Sequence, residues 1–466
     1  MLLTPPLLLA DYAGYVDASD RSEIRIRTTQ QLTNPGAPAG TPEPAAQFGV
    51  DAYTEPALRL RLTNRRFEFT FAYLPSLTVT DLEEGSGAQA QILQNGHIGV
   101  AWRADRQVTI TVAEDGTYGL YNSANVGAVP IGATGAATAG GAAPTPGQAP
   151  TPVAGAPTPP PAPMTGANLT PLQAAPQPKT ITLVASHTGA DVGVQVDRQV
   201  NFAVRGGYFT AGGLGDTSQF ALPLQYGPAG VATLNYALSR RDFSITSAGA
   251  SVTQFTSLPC FGLYGVGSLT ALCRPRDQIA QFSQGFQHAF ERKTAFTAQG
   301  GIAFVRMRND DDQPYRAVWF PTALMSVVHR EGPKGARISE LDLQLVPVIN
   351  AFSGALANFL QLQGLLTEPL AHNVLLRVAG GGAQTIPTEG PTAATIVQGG
   401  VEVDFAINKQ LDLGVGERAY WQRQAQGALN GQIVGEQAPE VPLAFADFFS
   451  TVTYFAVTVR APALRF

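Results

Sequence analysis

Charge is what this chain has least of. Asp, Glu, Lys and Arg make up 14% of its 466 residues, against about 25% in ordinary soluble domains. The formal net charge is only −5, too small to point to a nucleic-acid partner. Long apolar runs are also missing. No uninterrupted stretch reaches the roughly 18 residues of a membrane-spanning helix, which excludes a helical membrane protein. The five histidines, His97, His187, His288, His329 and His372, are scattered, with no i,i+4 pair and no neighbouring cysteine of the kind zinc sites use. Neither a G-x-S-x-G elbow nor a P-loop occurs. The acidic run "RNDDDQP" at 308–314 lacks the spaced ligands of a calcium loop and reads as a solvated loop tip. No catalytic residue, cofactor or metal is therefore expected, and the chain is not expected to be an enzyme.

What the chain has instead is alternation. The stretch "LRLRLTNRRFEFTFAY" places Leu58, Leu60, Leu62, Phe67, Phe69, Phe71 and Tyr73 on one face and Arg59, Arg61, Glu68 and Thr70 on the other. A period of two is the mark of β-strands with one apolar and one polar face. Asn64-Arg65-Arg66 then reads as a tight turn between two strands. The unit recurs with turns at Asp105-Arg106-Gln107, Asp197-Arg198-Gln199, Ser239-Arg240-Arg241, Glu291-Arg292-Lys293 and Asn408-Lys409-Gln410. Between these short turns lie long irregular segments, such as 30–55, 81–90, 211–227, 257–278, 308–313 and 424–442. Short and long connections that alternate belong on opposite rims, as in outer-membrane barrels with short periplasmic turns and long external loops. The expected fold is all-β: a transmembrane, antiparallel, up-and-down β-barrel in the outer membrane of a Gram-negative-type bacterium, in contact with outer-membrane lipid.

Residues 1–21 are expected to form an extension or signal-peptide remnant, since "MLLTPPLLLADYAG" carries no Lys or Arg. Residues 22–466 are expected to be one barrel. A Pro/Ala/Gly-rich segment, placed at 114–179, cannot bury enough apolar surface to fold. It reads as one long external loop rather than a domain linker. About five strands precede it and about thirteen follow, and only their sum of about eighteen is the even number that single-chain bacterial barrels use. The region 337–371 admits one hairpin more or fewer. With strand one starting near Ser22, no room is left for the N-terminal plug of an energy-coupled receptor.

In such a barrel the apolar parity meets lipid: Leu58, Phe69, Val108, Ile110, Val112, Val194, Phe202, Leu343, Val403 and Leu413. The opposite parity would line the lumen: Arg59, Arg61, Glu68, Asn201, Arg205, Asp342, Gln344, Arg377, Glu402, Asp404 and Asp412. Ionised groups of both signs suit a wet interior and are costly in a dry core, and a barrel of this width holds an aqueous channel. Cys260 and Cys273, the only cysteines, stand in one external loop. They are expected to pair in an oxidising compartment, stabilising by roughly 3 kcal/mol if the chain-entropy account holds. The terminal Phe466 resembles the aromatic signal read by the barrel-assembly machinery, although Arg460 and Pro462 depart from its usual apolar pattern.

The "LTNRRFEFTFAYLPSLTVTD" and "WRADRQVTITVAEDGTYG" hairpins and the aromatic C-terminus resemble the large outer-membrane barrels, of about eighteen strands, associated with Wzx/Wzy-type polysaccharide secretion. Those barrels partner short outer-membrane polysaccharide-export (OPX) proteins that lack a membrane-spanning part. The resemblance implies an exit conduit for a hydrated polysaccharide, passive and without chemistry, with a periplasmic OPX partner. A general diffusion porin for small polar solutes and a non-conducting scaffold or adhesin are the other readings the residues allow.

Overall fold

The computed structural model describes residues 13–31, 46–80, 89–105, 107–122, 180–197, 199–215, 224–256, 258–259, 272–290, 293–308, 314–331, 337–349, 356–387, 392–426 and 448–465. Eighteen antiparallel strands form the wall. They are β1 (Ala13–Gln31), β2 (Gln47–Thr63), β3 (Phe67–Tyr73, resuming as Ser76–Thr80 after Leu74-Pro75), β4 (Gln89–Arg103), β5 (Val108–Asn122) and β6 (Thr180–Gln195). Next come β7 (Val200–Gly213), β8 (Gln225–Ala237), β9 (Asp242–Phe255), β10 (Arg276–Phe290), β11 (Thr294–Arg308) and β12 (Arg316–Glu331). The last are β13 (Arg337–Ile349), β14 (Leu356–Ala371), β15 (Val374–Pro387), β16 (Thr392–Ala406), β17 (Leu411–Gln426) and β18 (Phe448–Arg460). Each pairs with its successor in the chain, and β18 returns to β1 in a register running from Ser19↔Arg460 to Gln31↔Phe448. That last ladder closes the cylinder, so the wall has no edge strand with unpaired backbone groups, as a bilayer demands.

Five of the short turns share one construction. Asn64 Oδ1 accepts the backbone N–H of Arg66 at 2.8 Å and of Phe67 at 2.6 Å. Asp105 does the same for Gln107 and Val108, Asp197 for Gln199 and Val200, and Asn408 for Gln410 and Leu411. At the β8–β9 turn Ser239 Oγ plays that part for Arg241 and Asp242. The side chain of the first turn residue thus satisfies the backbone donors that reverse the chain. In these five turns it is the first residue, not the conspicuous basic residues after it, whose side chain is seen to meet the reversing backbone donors.

Register separates the two faces of the wall. The parity of Leu58, Phe69, Val108, Ile110, Val112, Val194, Phe202, Leu343, Val403 and Leu413 is convex, and large apolar side chains such as Ile24, Val112, Phe282, Ile302 and Leu362 stand exposed on it. Trp102, Tyr236 and Phe290 are exposed on this side near the short turns, and Phe48, Trp319 and Phe449 near the long-loop end. An apolar band between two aromatic girdles is the surface of a barrel seated in a membrane. The opposite parity is concave and largely polar. Toward the long-loop end of β9–β12 it becomes apolar: Phe255, Ile279, Ala303, Val305 and Phe320 pack together, with Ile279 opposite Val305 and Ala303 opposite Phe320.

Two boundaries differ from expectation. β1 starts at Ala13 rather than Ser22, pairing Ala13 with Thr63 and Asp20 with Pro56. The expected loop over 114–179 starts later, because β5 runs on to Asn122 against β6, with Glu114 opposite Thr188 and Leu120 opposite Thr182. In both places polar residues on the convex side interrupt the apolar parity. Around 337–371 there is one hairpin, β13–β14, with Leu343 opposite Leu362. Cys260, Phe466 and residues 309–313 lie outside the described residues, so the disulfide, the terminal signal and the acidic loop stay expectations. Near them, Leu258 pairs with Cys273, and Leu464–Arg465 pairs with Val16 and Tyr15.

The concave wall as candidate functional site

The densest group of charges on the concave face lies around the closing seam, where β16, β17 and β18 meet β1 and β2. The guanidinium of Arg21 on β1 grips Glu402 on β16 with two hydrogen bonds, 3.0 and 3.1 Å. Two strands lie between them, and side chains from strands that far apart converge only on the inside of a curved wall. Arg21 Nε also holds Glu23 at 2.6 Å, and Arg25 Nε takes the other Glu23 oxygen at 2.7 Å. Arg377 on β15 bridges Glu402 at 3.2 Å and Asp404 at 2.7 Å. Tyr454 on β18 donates its hydroxyl proton to Glu402 at 2.6 Å, while Arg418 stacks over its ring at 4.5 Å. Arg25 lies 3.7 Å above the ring of Tyr53, whose hydroxyl donates to Glu55. Glu23 and Glu402 are only 3% and 7% exposed, and charges so covered persist because each is paired.

A glycine makes the centre of this network possible. Gly416 sits opposite both Glu402 and Tyr454, and a Cβ there would run into the Tyr454 ring. Without a side chain at 416, the ring lies flat across β17 and its hydroxyl reaches the neighbouring strand but one.

All the residues expected from the sequence to line the lumen fall on this concave parity, but they do not form one cluster. Arg377, Glu402 and Asp404 join the seam network. Arg59 pairs with Asp17 at 3.5 Å, Arg61 with Glu68 at 2.9 Å, Arg205 with Asp191 at 3.1 Å, and Asp412 with Arg460. Gln344 donates to Gln361 at 3.3 Å. Asn201 faces Asn235 across the β7–β8 ladder, and Asp342 faces Ser326 and Gln363. Sequence reasoning missed Arg21, Glu23, Arg25, Arg418, Tyr53 and Tyr454. The first three were legible as a period-two run in "DRSEIRIR"; the rest depend on which strands adjoin at the seam.

Among the described residues, three groups of polar side chains on the convex side are satisfied locally. Glu114 accepts the hydroxyls of Ser186, at 2.6 Å, and Thr188. Asp20 accepts Thr54 at 2.8 Å and Ser22 at 3.2 Å. Gln284 takes a bond from Thr246 at 2.6 Å and donates to Ser244 at 2.8 Å. Hydrogen bonding within each group reduces the cost of its polar atoms beside lipid.

A profile of exopolysaccharide-export proteins named EpsX matches residues 14–430. The chain belongs to the EpsX exopolysaccharide export family. It is thus an outer-membrane β-barrel of polysaccharide export. Among solved structures, this EpsX-family barrel is similar to Pseudomonas aeruginosa OccK2 (OpdF) in complex with glucuronate, at 10% identity and a TM-score of 0.43, covering 96% of this chain and 98% of that one. It is likewise similar to Pseudomonas aeruginosa OpdL, at 10% identity and a TM-score of 0.39, covering 98% and 99%. A third similar structure is the copper transporter OprC, 9% identical with a TM-score of 0.42, covering 87% of this chain; the chain spans 63% of OprC's length. No match is found among curated proteins.

Proposed function

We propose that the exported polymer threads the interior of this barrel and leaves the cell by passive passage, with no covalent step. The observation that carries this reading is the concave wall. It is polar along most of its height, while lipid-facing apolar residues occupy the convex side. Hydrated sugar crossing such a wall trades water for hydrogen bonds that are modest singly, so it binds weakly at many points and can leave again. Arg59, Arg61, Glu68, Asn201, Arg205, Asp342, Gln344, Arg377, Glu402, Asp404 and Asp412 line this path. The periplasmic partner is a short OPX protein that lacks its own outer-membrane span and meets the short-turn rim.

Deleting the protein and assaying surface polysaccharide tests the export step: loss of surface polymer, with intracellular or periplasmic accumulation, is expected. Unchanged secretion would remove the export reading. Reconstitution in planar bilayers tests the conduit itself, where discrete conductance steps are expected and silence at every voltage would overturn it.

A further inference from the structure

The two halves of the concave wall differ in kind. On β8, β9 and β11 no described inward residue is ionisable; β10 contributes only Asp277, and β12 only Arg316 and Arg330, all at strand ends. Between those ends the inward positions are amides, hydroxyls, glycine and apolar groups. Ser247 bonds Ser283 at 2.6 Å, and Ser283 donates to Gln299 at 3.4 Å. The charges gather on the other half, yet they form no row of one sign. Arg21 is bound to Glu23 and Glu402, Arg27 to Asp51, Arg61 to Glu68 and Arg205 to Asp191, each cation beside its own carboxylate.

A channel that draws a polyanion needs cations whose counter-charge is the cargo itself. Here a cargo carboxylate would have to displace a protein carboxylate from each of these arginines, an exchange of like for like with no net gain. Facing rows of opposite sign, which would set up a field across the lumen, are also missing from the described wall. Hydroxyls and ring oxygens of an uncharged sugar meet no such competition along the amide and hydroxyl half.

Resting on the conduit reading above, we infer that the polymer this barrel passes is an uncharged polysaccharide, and that acidic polymers such as polyuronates are not its cargo. The test is made with the full chain in planar bilayers under a potassium chloride gradient. The reversal potential is expected to give a cation-to-anion permeability ratio within about threefold of unity, as a charge-balanced wall implies. Neutral glucan oligosaccharides should interrupt the current, and polygalacturonate fragments at equal concentration should not. Gln281→Arg, which puts an inward cation opposite Gly249 and Ala303 with no carboxylate across from it, should shift the ratio toward chloride and introduce block by polygalacturonate. Strong anion selectivity in the unaltered protein, or its block by polygalacturonate, overturns the inference while leaving the conduit in place. Absence of any conductance removes the conduit, and this inference with it.

Discussion

At the scale of single residues, the concave charges divide by how well they are covered. Arg21 and Glu402 are largely enclosed, with side-chain exposures of 17% and 10%, whereas Arg205 and Asp191 stand 47% and 30% open to solvent. Removing Arg21 takes the two-pronged contact from Glu402, which keeps Arg377 and Tyr454, while Glu23 keeps Arg25; losing covered hydrogen bonds to charged groups costs about 1.5–3 kcal/mol each. An open pair contributes about 1 kcal/mol or less, because water already screens it. Arg21→Ala is therefore expected to lower the barrel's stability several times more than Arg205→Ala. Equilibrium unfolding by guanidinium from lipid vesicles, followed by tryptophan fluorescence, checks this; equal losses would mean that the seam network is as wet as the open pair. Tyr454→Phe should cost less than Arg21→Ala, since it removes one hydrogen bond and leaves the two-pronged Arg21–Glu402 contact intact.

At the scale of the hairpin, the first turn residue decides the reversal. Asp197→Ala removes the acceptor for the N–H groups of Gln199 and Val200, and a loss of about 1 kcal/mol is expected from ordinary hydrogen-bond energetics. Asp197→Asn, which keeps the accepting oxygen, should lose little. Refolding yield and unfolding midpoint of the two variants give the comparison, and equal behaviour would return the role to the basic residues of the turn. The hairpins themselves are legible in the sequence because alternation and turn chemistry agree there, as around Leu58–Tyr73. Legibility fails where the convex parity turns polar. Asp20 and Ser22 hide the start of β1, and Glu114 hides the length of β5, because a period-two reading takes a charge on the greasy side as the end of a strand. Only the pairing partners, Thr54 for the first and Ser186 and Thr188 for the second, explain why those residues sit where they do. The seam network was illegible for a related reason: Arg21 and Glu402 lie at opposite ends of the chain, and their contact exists only once β18 pairs with β1.

At the scale of the whole molecule, the sidedness of the wall carries the functional argument, since a path for hydrated polymer needs the polar parity inside. Strand number and closure follow from the even count and the alternation of short and long connections, both readable from the chain. Sidedness is tested by two adjacent positions on β10. Phe282 is convex and 50% exposed, flanked by Ala248 on β9 and Ile302 on β11, while Gln281 is concave beside Gly249 and Ala303. A charge facing hydrocarbon near the middle of an outer-membrane barrel costs about 2–4 kcal/mol for Arg. Phe282→Arg should lose about that much stability and fold in poor yield. Gln281→Arg, one residue away and turned inward over the open backbone of Gly249, should lose much less and should change ion selectivity instead. Heat-modifiable migration on gels reports folding, and bilayer reversal potentials report selectivity. If the penalties came out reversed, the polar parity would be the one facing lipid, and no aqueous path for a polysaccharide would remain.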